Sequence, residues 1–177
     1  MGCDIHGWME TKHGGSNNVK VWWNQELEVP RDRNYDFFGI LADVRNYAGA
    51  KPISEPKGVP SDVSEEVKEE IEHWGADGHS YSYVTLKEFD DYDWESESID
   101  GRISTIRKST GEELGKALYD YRQDLSKEEL DKIDVEFKHL KRKAKDLLSP
   151  KWKAYIELMQ TYSSNPENVR IVFWFDN

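Results

Sequence analysis

Apolar and polar positions along the chain change period several times, and each change predicts an element. Residues 3–12 alternate, with Cys3, Ile5 and Met9 to one side and Asp4, His6 and Trp8 to the other, which is the two-residue period of a strand. Residues 19–29, opening Val19-Lys20-Val21-Trp22-Trp23, read as its hairpin partner across a turn-rich loop at 13–18, and Pro30 ends that strand. Phe37, Phe38, Leu41 and Val44 make the stripe of a short helix that Asp32 or Asn34 can cap. Residues 46–61 carry Pro52, Pro56, Pro60, Gly49 and Gly58, the composition of an ordered loop: a rim over a pocket or a surface wrap. Ser64 is placed to cap a helix whose buried side is Val67, Ile71 and Trp74, with Gly75 as its stop. Residues 77–84 turn into another strand, and Thr85 with Glu88 forms a capping box for a short helix.

The second half reads differently. Asp100-Gly101 is a hairpin signal. Thr110 and Glu113 are spaced to open a helix striped by Leu114, Ala117, Leu118, Tyr121 and Leu125. Ser126 and Glu129 open another, and Leu130, Ile133, Phe137, Leu140, Ala144 and Leu147 follow at spacings of three and four, a coiled-coil-like seam. Ser149-Pro150 starts a last helix with Trp152, Tyr155, Ile156 and Met159 inward. Residues 169–175 are nearly all apolar, which predicts a central strand covered on both faces and paired with the first. The expected fold is α+β, a single domain over 1–177. A small antiparallel or mixed sheet contains both chain termini, helices pack on one side, and residues 94–149 form a helical arm or insertion.

Composition narrows the chemistry. With 24 basic and 35 acidic residues the net charge is −11, which excludes a general nucleic-acid coat but leaves room for a local anion pocket. The single cysteine excludes an internal disulfide framework, and Cys3 reads as a small buried residue. No basic stretch followed by an apolar run suggests a signal peptide, and no apolar run approaches a membrane span. The expectation is a protein of a reducing cytoplasm, without a membrane or an extended nucleic acid as partner. Seven Trp and nine Tyr leave some aromatic faces for stacking on a flat ligand.

The densest chemistry is the pattern Asp-x-His, found at Asp4-His6 and again at Asp77-His79 in a chain with five histidines. An imidazole moves protons near neutral pH and a carboxylate fixes its tautomer, so these four are the candidate catalytic residues. Arg33 or Arg45 can hold a phosphate, and Asp36, Ser80, Ser82 and Trp8 complete the candidate ligand-binding set. Should all four Asp and His side chains converge, Mn, Fe or Zn suits them, although the spacing matches no established zinc motif; otherwise no cofactor is required.

The opening Met1-Gly2-Cys3-Asp4-Ile5-His6, then Arg33-Asn34-Tyr35-Asp36-Phe37-Phe38, residues 58–64, Asp77-Gly78-His79-Ser80-Tyr81-Ser82 with Thr85, and the closing Arg170-Ile171-Val172-Phe173-Trp174-Phe175 together form a further pattern. In these stretches the chain resembles a family of small tailed-phage and prophage proteins of no established activity. The resemblance covers roughly residues 1–94 and 168–177, and implies a phage-borne protein in the host cytoplasm. By analogy with other small soluble phage proteins that carry polar pockets, action against host defence is expected. The expectations are therefore hydrolysis of a phosphodiester in a small nucleotide signal such as a cyclic nucleotide, or capture of that nucleotide by a homo-oligomeric sponge. A third is a protein-binding inhibitor or structural protein without a small-molecule site.

Overall fold

The computed structural model describes residues 2–14, 19–119 and 121–177; the expected loop at 13–18 falls mostly outside them. In chain order, β1 (Asp4–Gly14) and β2 (Lys20–Glu28) form a hairpin, followed by α1 (Tyr35–Ala42), α2 (Glu65–Trp74), β3 (His79–Thr85) and α3 (Leu86–Asp91). The second half supplies β4 (Glu97–Ile99), β5 (Ile103–Arg107), β6 (Glu113–Ala117), α4 (Lys127–Lys132), β7 (Val135–Lys138) and β8 (Lys141–Lys143). The chain closes with α5 (Pro150–Met159) and β9 (Val169–Asp176).

The first and last strands meet in the middle of one antiparallel sheet of order β2-β1-β9-β3. This is the expected α+β fold, and its reason is the run in β9: every residue from Val169 to Phe175 is buried, so both faces of that strand need cover. The cover comes from two directions. Phe173 and Phe175 share a core with Phe37, Phe38, Phe89, Trp152 and Met159 from α1, α3 and α5. Val172 and Trp174 point the other way and pack with Val67 of α2. The expectation of helices on one side is thus corrected: α2 covers the opposite face, because β9 is apolar at consecutive positions rather than alternate ones.

Local signals explain several boundaries. Asn34 accepts from the Phe37 N–H, the Thr85–Glu88 capping box is complete, and Ser149 caps α5. At α2, Ser64 makes no side-chain cap bond; its backbone N–H instead donates to the Glu10 carboxylate at 2.8 Å. Glu10 also holds Arg170 at 2.7 Å, and both are almost fully buried. This pair, with Arg170 reaching Asp62 at 2.8 Å, ties the loop before α2 to the sheet.

The helical arm expected at 94–149 is not what forms. Two small antiparallel sheets, β4-β8 and β6-β5-β7, are built from it instead. The helix expected from Thr110 contains strand β6, and the one from Ser126 ends at Lys132, so the coiled-coil-like seam does not exist. Asp100-Gly101 makes no hairpin either, since β4 pairs with β8 while β5 pairs with β6 and β7. Non-local pairing overrides the three-and-four spacing here. Its polar centre is Asp100, fully buried, which accepts from Arg102 at 2.8 Å and faces Arg142 at 3.4 Å and Lys116 at 3.6 Å. Around it, Lys141 of β8 pairs with Glu97 of β4 and Arg142 of β8 with Glu113 of β6. Burial pushes the Asp100 carboxyl up, but the hydrogen bonds and charge of Arg102, with Lys116, more than offset it and leave it below the usual range.

Candidate functional site

The strand register explains which candidate residues meet. Asp4 lies opposite Asp176, His6 opposite Trp174, and on the far side of β9 His79 lies opposite Phe175. Both Asp-x-His patterns therefore flank the same end of β9. Neighbouring positions on a strand face opposite ways. His6 goes with Trp174 to the α2 face, and His79 stacks on Phe175, which belongs to the other core, with ring centroids 6.0 Å apart. The two histidines sit at one end of the sheet on opposite faces.

His6 is the better equipped of the two. Its Nε2 lies 3.6 Å from Asp176 Oδ2, with the imidazole and the carboxylate 17% and 29% exposed. Asp176 is steadied by the Asp4 N–H, which donates to its Oδ1 at 3.1 Å. The imidazole packs on Trp74 with centroids 4.1 Å apart, and Trp174 lies at 6.2 Å. His6 Nε2 is buried without a hydrogen bond, so Asp176 is the group that can hold a proton on that nitrogen, leaving the lone pair on Nδ1. Gly7 permits the close approach of β1 to β9: a Cβ there would lie 2.3 Å from the Val172 carbonyl oxygen.

Beside His6 a pocket of about 250 Å³ opens. Its walls are His6, Gly7, Trp8, Val29, Trp74 and Trp174, and Glu28, Arg31, Glu70 and His73 also line it. Trp8 and Trp74 are half-buried, so their indoles are shared between core and cavity. The helical spacing of Val67, Ile71 and Trp74 delivers Trp74 to the sheet and carries Glu70 and His73 alongside. The arrangement can stack a flat ring, and His6 can exchange a proton with it.

The remaining candidates have other work. Asp4 takes a two-point hydrogen bond from Arg33, at 2.7 and 2.8 Å, which holds its carboxyl below the usual range. Arg45 reaches the Tyr47 hydroxyl at 3.4 Å and Asn177 at 3.2 Å. It also faces Cys3, which is fully buried as expected and whose thiol is pushed up by burial, against the pull of Arg45. Asp36 belongs to the Asp100 network, bound to Arg102 at 2.6 Å. Asp77 is exposed at the surface. Ser80 shares a 3.0 Å hydrogen bond with His79 Nδ1, and takes a left-handed backbone with φ 51° that is uncommon for serine. Ser82 is buried and accepts from the Lys57 N–H at 3.1 Å. Among the described residues, no group of three or more His, Cys, Asp and Glu side chains is gathered as a metal site.

Of the residues that line the pocket, the sequence pattern points to His6 and Trp8. Trp174 and Trp74 read as core, while Glu28, Glu70 and His73 carry no signal in the sequence. Only the packing of α2 across β1 and β9 brings them together. No helix among the described residues is long and apolar enough to cross a membrane. Comparison with protein-family models, curated proteins and solved structures finds no match.

Proposed function

We propose that this protein captures a small nucleotide by inserting its base into the pocket beside His6. The observation that carries this reading is the joint placement of Trp8, Trp74, Trp174 and His6 around one cavity of about 250 Å³. Stacking on aromatic side chains contributes roughly 1–3 kcal/mol per base and tolerates any base. The cavity lies just below the ~300–1,000 Å³ of drug-sized sites, so it suits one ring system with ribose and phosphate outside. A cyclic dinucleotide would insert one of its bases and leave the rest at the rim. The resemblance to tailed-phage proteins supplies a setting for the proposal, a nucleotide defence signal in the host cytoplasm.

Hydrolysis is the second reading, favoured by the carboxylate that backs His6. In it, His6 acts as the base and His73, on the same pocket, is the nearby candidate acid. The pairing of His6 with His79 has less support, since they occupy opposite faces of the sheet. Homo-oligomeric trapping stays part of the capture proposal, without the coiled-coil seam as its means.

Incubation of the purified protein with a nucleotide panel, with and without Mn²⁺, followed by chromatography before and after denaturation, tests both readings. Capture predicts ligand lost from the filtrate and returned intact on denaturation. A new product peak moves the account to hydrolysis. Nucleotides that stay free and unchanged would contradict both.

A further inference from the structure

The pocket's charges carry a further inference, which rests on the capture reading and names the class of ring. Three groups with formal charge line it: Glu28, Glu70 and Arg31. Arg31 is already committed to Glu28 at 2.5 Å. Glu70 has no ion-pair partner among the described residues. Behind His6 stands a further carboxylate, Asp176. The protein as a whole carries −11. A phosphate moving into this cavity would meet the exposed Glu70 carboxylate and, behind His6, Asp176, while the Arg31 guanidinium that lines it is already bound to Glu28. The indole walls have the opposite preference, since the face of a tryptophan attracts a cation through its quadrupole.

We propose that the pocket selects a flat ring bearing a positive charge, an N-alkylated pyridinium or an N7-alkylated purine, carried on a ribose phosphate that stays at the rim. In this arrangement the ring lies against Trp8 and Trp74, Glu70 faces its charge, and the phosphate stays outside, where the Arg31–Glu28 pair can rearrange to meet it. No bond is made or broken. Delocalised charge suits the site because such a ring sheds its water more readily than a compact ammonium ion does.

A matched pair of ligands isolates the charge. Oxidised nicotinamide mononucleotide carries a pyridinium, while its reduced form has the same ribose and phosphate on an uncharged ring. Isothermal titration with each is expected to show the oxidised form binding about tenfold tighter or better. N7-methylguanosine is expected to exceed guanosine in the same sense. Glu70→Gln, a surface change that leaves the core intact, is expected to shrink both ratios while retaining the weaker binding. Equal affinities within each pair, or tighter binding of the neutral member, would overturn the charge preference and leave nucleotide capture standing. Binding of tetramethylammonium with no binding of any nucleoside would keep the charge preference and remove the nucleotide reading. Failure of every probe to bind would remove both.

Discussion

The pattern Asp-x-His begins two strands that flank β9, and the fold uses the two copies in different ways. At His6 the nearby carboxylate comes from Asp176 across the sheet, and the ring opens on a cavity walled by tryptophan. At His79 the ring is stacked on Phe175, its Nδ1 is shared with Ser80, and Asp77 is turned to solvent. The spacing is the same, and the neighbour on β9 differs by one residue. That one-residue step exchanges Trp174 for Phe175 and hence one face of the sheet for the other. A short motif therefore has a meaning only once the strand beside it is known.

The largest expected difference between the two ends lies in their glycines. Gly7→Ala would drive a Cβ to within 2.3 Å of the Val172 carbonyl oxygen and 2.8 Å of Phe173 Cα, both backbone. Gly78→Ala would meet the Tyr81 hydroxyl at 2.1 Å, the far end of a side chain that can swing away. Chemical denaturation is expected to show a loss of about 3 kcal/mol or more for Gly7→Ala, against about 1 kcal/mol for Gly78→Ala. Similar losses would break the contrast between a rigid β1–β9 contact and a yielding β3 end.

Next in size is the effect of the histidines on binding. His6→Ala is expected to weaken ligand affinity by about thirtyfold, near ~2 kcal/mol, as for a residue at the centre of a site. His79→Ala is expected to leave affinity within about twofold, the ordinary result for a side chain outside the interface. Titration calorimetry of both folded variants measures this. The reverse order would move the site to the other face.

The smallest effect concerns the two aspartates. Asp4 and Arg33 are half-exposed, so Asp4→Asn is expected to cost only about 0.5 kcal/mol at neutral pH. Because Arg33 depresses the Asp4 carboxyl in the folded state, the contribution is complete above the ordinary aspartate range near ~3.9. It is lost as pH falls through the lowered folded value, so wild type and Asp4→Asn should converge in urea unfolding once the pH is below that value. Asp77→Asn, at an exposed position, should change stability by less than ~0.5 kcal/mol at either pH.

The same contrast separates what the sequence discloses from what it conceals. The central place of β9 and its pairing with β1 are legible because burial on both faces demands an unbroken apolar run. The α2 helix is legible from Val67, Ile71 and Trp74. The strands of 94–149 are not, because Ile133, Phe137 and Leu140 satisfy a helical spacing while their actual partners lie far along the chain. Phe137, for example, pairs with Thr105. The pocket is half legible: His6 and Trp8 are conspicuous, whereas Glu70 and His73 become relevant only through the docking of α2.

The most direct test of the central claim is a histidine-ring NMR titration with oxidised nicotinamide mononucleotide, with His6 and His79 assigned through His6→Gln and His79→Gln. The account predicts that the His6 ring signals move saturably as ligand is added while those of His79 stay in place. Movement of His79 with His6 unmoved, or binding that shifts neither ring, would contradict it.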